Sequence, residues 1–303
     1  MSDRDAELKR VSARMLRRRA SAGTPDRSEA LWPAAYFGLQ RVDAYAHASS
    51  QDQRAVLDAC AQGLLSESRF VELSGMEFCA RMTLATDSIE ERQLYSLIAA
   101  DEASHYAWLQ PWLDERVERA DPFNAFLADC VANATPQPLA YLMQIVLEGL
   151  GIAHYSGLAA ACNDAELATT FKRMAEDEAL HHAAGLAAFA VGRLADNERR
   201  FLSDAAYTLL QMIRSGPQAV LSALDRNLGG IERADVLSII ASLDGTAETA
   251  AKLERMRKLM AQPGMAWLVE DLCARGAFLP CTAVQSAEIY LHSSRQADSN
   301  LPG

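Results

Sequence analysis

The motif Asp-Glu-Ala-x-His occurs twice in this chain, as "DEASHY" at 101–106 and "DEALHH" at 177–182. The offset is 76 residues (101 to 177). Carried upstream, it lays Glu72 on Glu148, Gly75 on Gly151 and Glu90 on Glu166. Each half therefore reads as one Glu followed 30 residues later (72 to 102, 148 to 178) by Glu-x-x-His. A single Glu-x-x-His puts both side chains on one helix face, because residues three apart are neighbours there, and many solvated surface helices carry one. A doubled one at fixed spacing is a stronger constraint. The midpoint of 72 and 102 falls in the turn "TDS", and that of 148 and 178 falls in "CND". In an antiparallel hairpin, residues equidistant from the turn lie at one height, here about 14 residues or roughly 21 Å from it. Glu72 should thus face Glu102, and Glu148 should face Glu178. Two such hairpins packed together bring four glutamates and two histidines to one place. Burying them without a counter-charge is prohibitively costly, and two divalent cations would balance four carboxylates.

Helical signals dominate the rest, and no sustained period-2 pattern argues for strands. The first long helix should start after Ser50, where "SQDQ" reads as a capping box with Gln53, and run to about Ala85. Ser88 with Glu91 starts a second, which Pro111 kinks or ends. Residues 121–138 read as a longer, partly helical connection. A third helix spans about 138–162. Asn163 with Glu166 opens a fourth that ends near Asp196. Further amphipathic segments follow 200, separated by "NLGG", "LDGT" and "QPGM" as turn signals. The domain reading is a basic N-terminal extension (1–35), a four-helix bundle (36–200), C-terminal helices packing on it (201–290) and a disordered tail (291–303). The first 20 residues hold seven Lys/Arg against three acids, which reads as a solvated arm.

The pattern resembles the ferritin-like di-iron carboxylate superfamily, in which two bundle helices each give a Glu and the other two each give Glu-x-x-His. The resemblance covers about residues 55–195 and implies an all-α ferritin-like four-helix bundle with a dinuclear metal site. Carried over residue by residue, it implies the ligands Glu72, Glu102, His105, Glu148, Glu178 and His181, with Glu102 and Glu178 as bridging candidates. The implied cofactor is two iron ions, with manganese as the alternative. The doubled D-E-x-x-H is similar to bacterial di-iron monooxygenases and, at one site, to acyl-carrier-protein desaturases. There the Asp accepts a hydrogen bond from the ligating His of the opposite hairpin, which implies the pairs Asp101 with His181 and Asp177 with His105. Tyr155 follows Glu148 by seven, an E-x6-Y also seen in ferritins and rubrerythrins, so its hydroxyl is a candidate partner of a ligating carboxylate. Its repeat counterpart is Cys79, which argues against a symmetric role.

Other residues compete for the site. Glu77 lies about 140° from the face of Glu72 and is rejected as a ligand. His154 and His182 read as second-sphere or surface histidines. Gly75 and Gly151 each sit three residues past a first-helix Glu. A helix-interior Gly costs about 1 kcal/mol against Ala, so its recurrence suggests room kept beside the metals. Gly75, Met76, Gly151 and Ile152 are the expected pocket residues, with Ile98, Ile145 and Met174 as apolar neighbours.

The function implied by the resemblance is an O2-dependent non-haem di-iron oxidase or oxygenase acting on a small, largely apolar organic substrate. Storage fits poorly, because the roughly 100 residues after 200 would obstruct a compact cage. A rubrerythrin-type peroxidase usually carries a rubredoxin domain, and a radical-generating reductase subunit usually has Asp where Glu72 stands. A ferroxidase or peroxide scavenger is the second reading, and a metal-binding scaffold the third. The chain has no C-x-x-C and no G-x-G-x-x-G after a strand, so an external electron donor is expected. A net charge of -11 argues against nucleic acid as a partner. No apolar run of membrane length and no secretory h-region occurs, and the scattered cysteines suit a reducing cytoplasm. A homodimer is compatible with all of this.

Overall fold

Ser49 begins the first long helix: its hydroxyl accepts from the Asp52 amide at 3.2 Å, and α1 runs Ser50–Ala85. The cap lies one residue before the "SQDQ" box because the Gln53 side chain donates instead to the Tyr45 carbonyl at 3.0 Å. After the turn at 86–88, Ser88 accepts from the Glu91 amide at 3.3 Å and starts α2, Ile89–Leu109. Pro111, which has no amide proton to continue the ladder, closes α2 in a 3-10 turn, Gln110–Trp112. The chain resumes in α3, Pro122–Asn133. These elements come from a computed structural model that describes residues 28–114, 122–189, 192, 194–243 and 245–299.

The second hairpin departs from the sequence reading in its first arm, in the residue that caps its second arm (Asp164, not Asn163) and in where that arm ends. Its first arm, expected as one α-helix over 138–162, begins with α4, Pro136–Ala140, widens into a π-helical segment, Tyr141–Leu147, and only then becomes α5, Glu148–Ala161. Such segments are rare and recur at functional sites. Gly185 makes room for this one. A Cβ there would stand 2.5 Å from Gln144 Cβ, so the absent side chain lets the π backbone press against the next helix. That helix, α6, spans Ala165–Ala188 and is capped by Asp164, which accepts from the Leu167 amide at 2.8 Å. It stops eight residues short of Asp196 because Asp196 starts a new helix. Glu198 accepts from the Ala195 amide at 2.9 Å, and both acids suit the positive end of a helix dipole.

Next come α7 (Asp196–Arg214) with buried Leu202, Ala205, Ala206, Leu209 and Leu210 along one stripe, α8 (Gln218–Asn227), α9 (Arg233–Leu243), α10 (Gly245–Met260) and α11 (Ala266–Ala274). Helix α8 packs on α1, while α10 packs on α5 and the π segment. The tail expected to be disordered from 291 instead continues α12, Ala283–Ser299, since no Gly or Pro interrupts the sequence from Ala283 until Pro302. Of the expected basic extension, residues 1–27 lie outside the described residues. Among the described residues no strand occurs, and no helix is long and apolar enough to cross a membrane.

The two hairpins, α1 with α2 and α5 with α6, run in opposite senses and meet through α2 and α6. Leu65, Leu109, Trp112, Leu158 and Phe171 fill one end of the bundle. Phe78, Met82, Tyr95, Ile98 and Ile145 fill the other. Each such side chain contributes about 1.5–3 kcal/mol by burial. Between the two apolar layers lies a polar one.

Candidate metal centre

That polar layer holds the repeat. Glu72 and His105 are 0% exposed, Glu102 and Glu178 3%, and His181 2%. Glu148 is the most exposed of the four glutamates, with 12% of its side chain accessible. Two sets of donor atoms converge, each within 4.8 Å of one another: Glu72, Glu102, His105 and Glu178 form one, and Glu102, Glu148, Glu178 and His181 the other. Glu102 and Glu178 belong to both sets. His105 turns Nδ1 inward, 3.0 Å from Glu72 Oε2 and 3.8 Å from both Glu102 Oε2 and Glu178 Oε1. His181 does the same in the other set, 3.2 Å from Glu102 Oε1, 3.5 Å from Glu178 Oε2 and 3.8 Å from Glu148 Oε2.

The chain matches the ferritin-like domain family over residues 34–190, more than half its length. It belongs to the ferritin-like family. No curated protein and no solved structure matches it.

The surroundings of this ferritin-like centre hold the ligand candidates in place. Both aspartates cross between hairpins: His105 Nε2 lies 3.0 Å from Asp177 Oδ2, and His181 Nε2 lies 3.7 Å from Asp101 Oδ2. These are the pairs the D-E-x-x-H resemblance implies: the first is a hydrogen bond that fixes the His105 ring so that Nδ1 faces the cluster, while the second stands at ion-pair distance only. The Tyr155 hydroxyl donates to Glu72 Oε1, and its ring stacks on Phe171 at 5.6 Å. Glu77 is exposed. Neither His154 nor His182 joins a donor set; His182 Nδ1 sits 3.2 Å from the Gln144 carbonyl of the π segment.

The donor set suits hard or borderline divalent cations such as iron and manganese. Glu178 Oε2 and both ring nitrogens of His181 are buried with no hydrogen-bond partner in the protein, a cost that a cation would remove. The ionisation equilibria point the same way. Burial, then the charges of Glu72 and Glu148, push Glu102 well above the usual carboxylate range. Burial also opposes charge on Glu72, but the charge of His105 and its hydrogen bonds outweigh that and bring Glu72 below its ordinary value. For His105, burial works against protonation, yet Glu72 and Asp177 drive its pKa up to about 10. His181 also rises, because Asp101, Glu102 and Glu148 outweigh its burial.

Without metal, protons therefore neutralise the cluster. Both histidines are charged at neutral pH and must lose a proton to ligate, so metal affinity should climb with pH. Adding Zn(II) or Mn(II) to weakly buffered protein should release both histidine protons, and affinity measured between about pH 6 and 8 should rise. A pH-independent affinity with no proton release would rule out Nδ1 ligation by these histidines.

A cavity of about 70 Å³ opens onto Glu102, Glu148 and Glu178. Gly75 and Gly151 line it as expected, whereas Met76 and Ile152 do not. Each of those follows its glycine by one residue, and a 100° turn of the helix carries it off the cavity face. The apolar lining comes instead from Val71, Phe123, Met143, Leu147 and Leu150, with Ser68, Glu67, Tyr155, His154 and Lys252 as the polar remainder. Some of this was within reach of the sequence, because the 76-residue offset also lays Glu67 on Met143 and Val71 on Leu147. Ile98, Ile145 and Met174 are buried but do not line it. The two glycines differ. A Cβ on Gly75 would stand 2.8 Å from Glu102 Cδ, while one on Gly151 would meet Glu178 Cγ at an ordinary 3.5 Å.

Proposed function

We propose that this protein is an O2-dependent di-iron oxidase or oxygenase acting on a small, largely apolar organic substrate. The observation that carries this reading is the placement of the cavity. Its lining joins apolar side chains to Glu102, Glu148 and Glu178, so a molecule held there abuts the two carboxylates common to both donor sets, Glu102 and Glu178, and Glu148 of the second. Glu72, Glu102, His105, Glu148, Glu178 and His181 would hold two iron ions, with manganese as the alternative. Bound iron supplies one- and two-electron reduction of O2.

The chain's own residues set the conditions for that chemistry. Asp177 orients the His105 imidazole through its hydrogen bond, and Asp101 stands at ion-pair distance from His181. Tyr155, kept protonated by burial and by the charge of Glu72, donates to that glutamate and fixes one of its oxygens. Val71, Phe123, Met143, Leu147 and Leu150 exclude bulk water from the substrate. Electrons come from an external donor or from the substrate itself.

The competing reading is a ferroxidase or peroxide scavenger, which needs no organic co-substrate. Iron-loaded protein, with ascorbate and O2, should convert members of a panel of small aliphatic compounds to oxidised products detectable by mass spectrometry. Gly151→Leu fills the cavity without removing a donor. It should retain its metal and lose at least about tenfold in product formation, since a blocked pocket removes substrate binding. Continued oxidation of added Fe(II) with no organic product from any compound would favour the ferroxidase. Full product formation by the Leu variant would move the substrate site elsewhere.

A further inference from the structure

Lys252 is the one charged group that the C-terminal helices place on the cavity wall. It comes from α10, outside the repeat, while the other charged lining residues are glutamates of the bundle. It is half-buried, and among the described residues it forms no ion pair. Across α5 it faces His154, whose pKa falls to about 4 through burial and then through the charge of Lys252. His154 is therefore neutral at physiological pH and adds no second positive charge beside Lys252. His154 itself lies six residues, about 9 Å along the helix axis, beyond Glu148 on α5. Ser68 makes the same end of the cavity polar. It is 2% exposed, its Oγ has no hydrogen-bond partner in the protein, and it precedes Glu72 by one turn of α1. A buried hydroxyl without a partner is costly unless a ligand completes it. The lining also carries the apolar side chains of Val71, Leu147 and Leu150.

From this arrangement we infer that the substrate is an organic acid with a short apolar body, and that Lys252 is the residue that selects its carboxylate. The inference rests on the oxidase or oxygenase reading only in taking the cavity to hold an organic molecule. A cation at one end and the carboxylate cluster at the other orient the ligand, with its acid group at Lys252 and Ser68 and its aliphatic end toward Glu102, Glu148 and Glu178. Volume limits the body. At roughly 10–15 Å³ for one water-sized group, the 70 Å³ cavity takes about five to seven, the size of a six-carbon acid.

The test compares hexanoate, hexan-1-ol and hexylamine binding to protein loaded with redox-silent Zn(II), by calorimetry. Hexanoate should bind at least about tenfold more tightly than the alcohol, and the amine should bind least. Lys252→Met should bring hexanoate down to the affinity of the alcohol while leaving the alcohol unchanged. Lys252→Arg should restore most of the difference, which loss of packing alone would not do. Equal binding of acid and alcohol, or a preference that survives Lys252→Met because the acid sits on the metal, overturns the role of Lys252 and leaves the organic-substrate reading intact. If none of the three binds, and wild type and Gly151→Leu behave alike, the cavity is not an organic site and both readings fall.

Discussion

Glu178→Ala should abolish dinuclear metal binding while leaving the helices intact. Glu178 contributes to both donor sets, so its loss cannot be confined to one metal. Removing a residue that merely orients a ligand typically costs 10–100-fold in metal affinity, and removing a shared ligand should cost on the order of a thousandfold or more. The fold has no reason to suffer. Alanine is the best helix former, and Glu178 Oε2 is a buried acceptor without a hydrogen-bond partner in the protein. Metal-free Glu178→Ala should therefore melt no lower than metal-free wild type. The difference appears on adding metal: the wild type gains stability by mass action, and the variant does not respond. Elemental analysis showing about two metals per chain in the variant, against the two-metal arrangement of such bundles, would remove Glu178 from the ligand set.

Gly75→Ala should weaken metal binding although Gly75 offers no ligand atom. The added Cβ would stand 2.8 Å from Glu102 Cδ and 3.0 Å from its Oε2, closer than packed atoms tolerate. Either Glu102 rotates away from the shared position or α1 and α2 separate locally. Glu102 is the softer of the two, so affinity should drop about 10–100-fold, the range for disturbing a ligand's orientation. Gly151→Ala is the matched control. Its nearest contact, Glu178 Cγ at 3.5 Å, needs no adjustment, and metal binding should be unchanged. Both substitutions remove a helix-interior glycine, worth up to about 1 kcal/mol of helix stability, so metal-free melting temperatures should hold or rise in both. Equal metal affinity in the two variants would show that Glu102 has room to move and that the tightness around Gly75 has no functional weight.

The centre was legible because an exact spacing is a geometric statement. Equal 30-residue separations about two turns place four glutamates at one height, and the crossing aspartate pairs are what the D-E-x-x-H resemblance implies. What escaped the sequence shares a cause. The π segment before Glu148 is invisible to a periodic reading, because residues such as Tyr141, Leu142 and Met143 are apolar on every side and fit either winding. The cavity walls were half missed for a related reason. Met76 and Ile152 are neighbours of the glycines in sequence, whereas a helix places its spatial neighbours three or four residues away, where Val71 and Leu147 stand relative to Gly75 and Gly151. Phe123 and Lys252 belong to helices outside the repeat, so no internal comparison could bring them to the site. The early end of α6 was marked by Asp196, an acid that serves as well at the start of a helix as on its exposed face.

The sharing of donors between hairpins has a consequence for how the molecule comes apart. One set takes Glu72, Glu102 and His105 from the first hairpin and Glu178 from the second; the other takes Glu148, Glu178 and His181 from the second and Glu102 from the first. Neither hairpin owns a complete set. A fluctuation that slides α2 past α6 therefore opens both sets together, and a chain whose hairpins have not yet docked has nowhere to keep a cation. Metal content becomes a readout of tertiary docking, and metal uptake during folding would act as a ratchet, holding the two halves together once they have met.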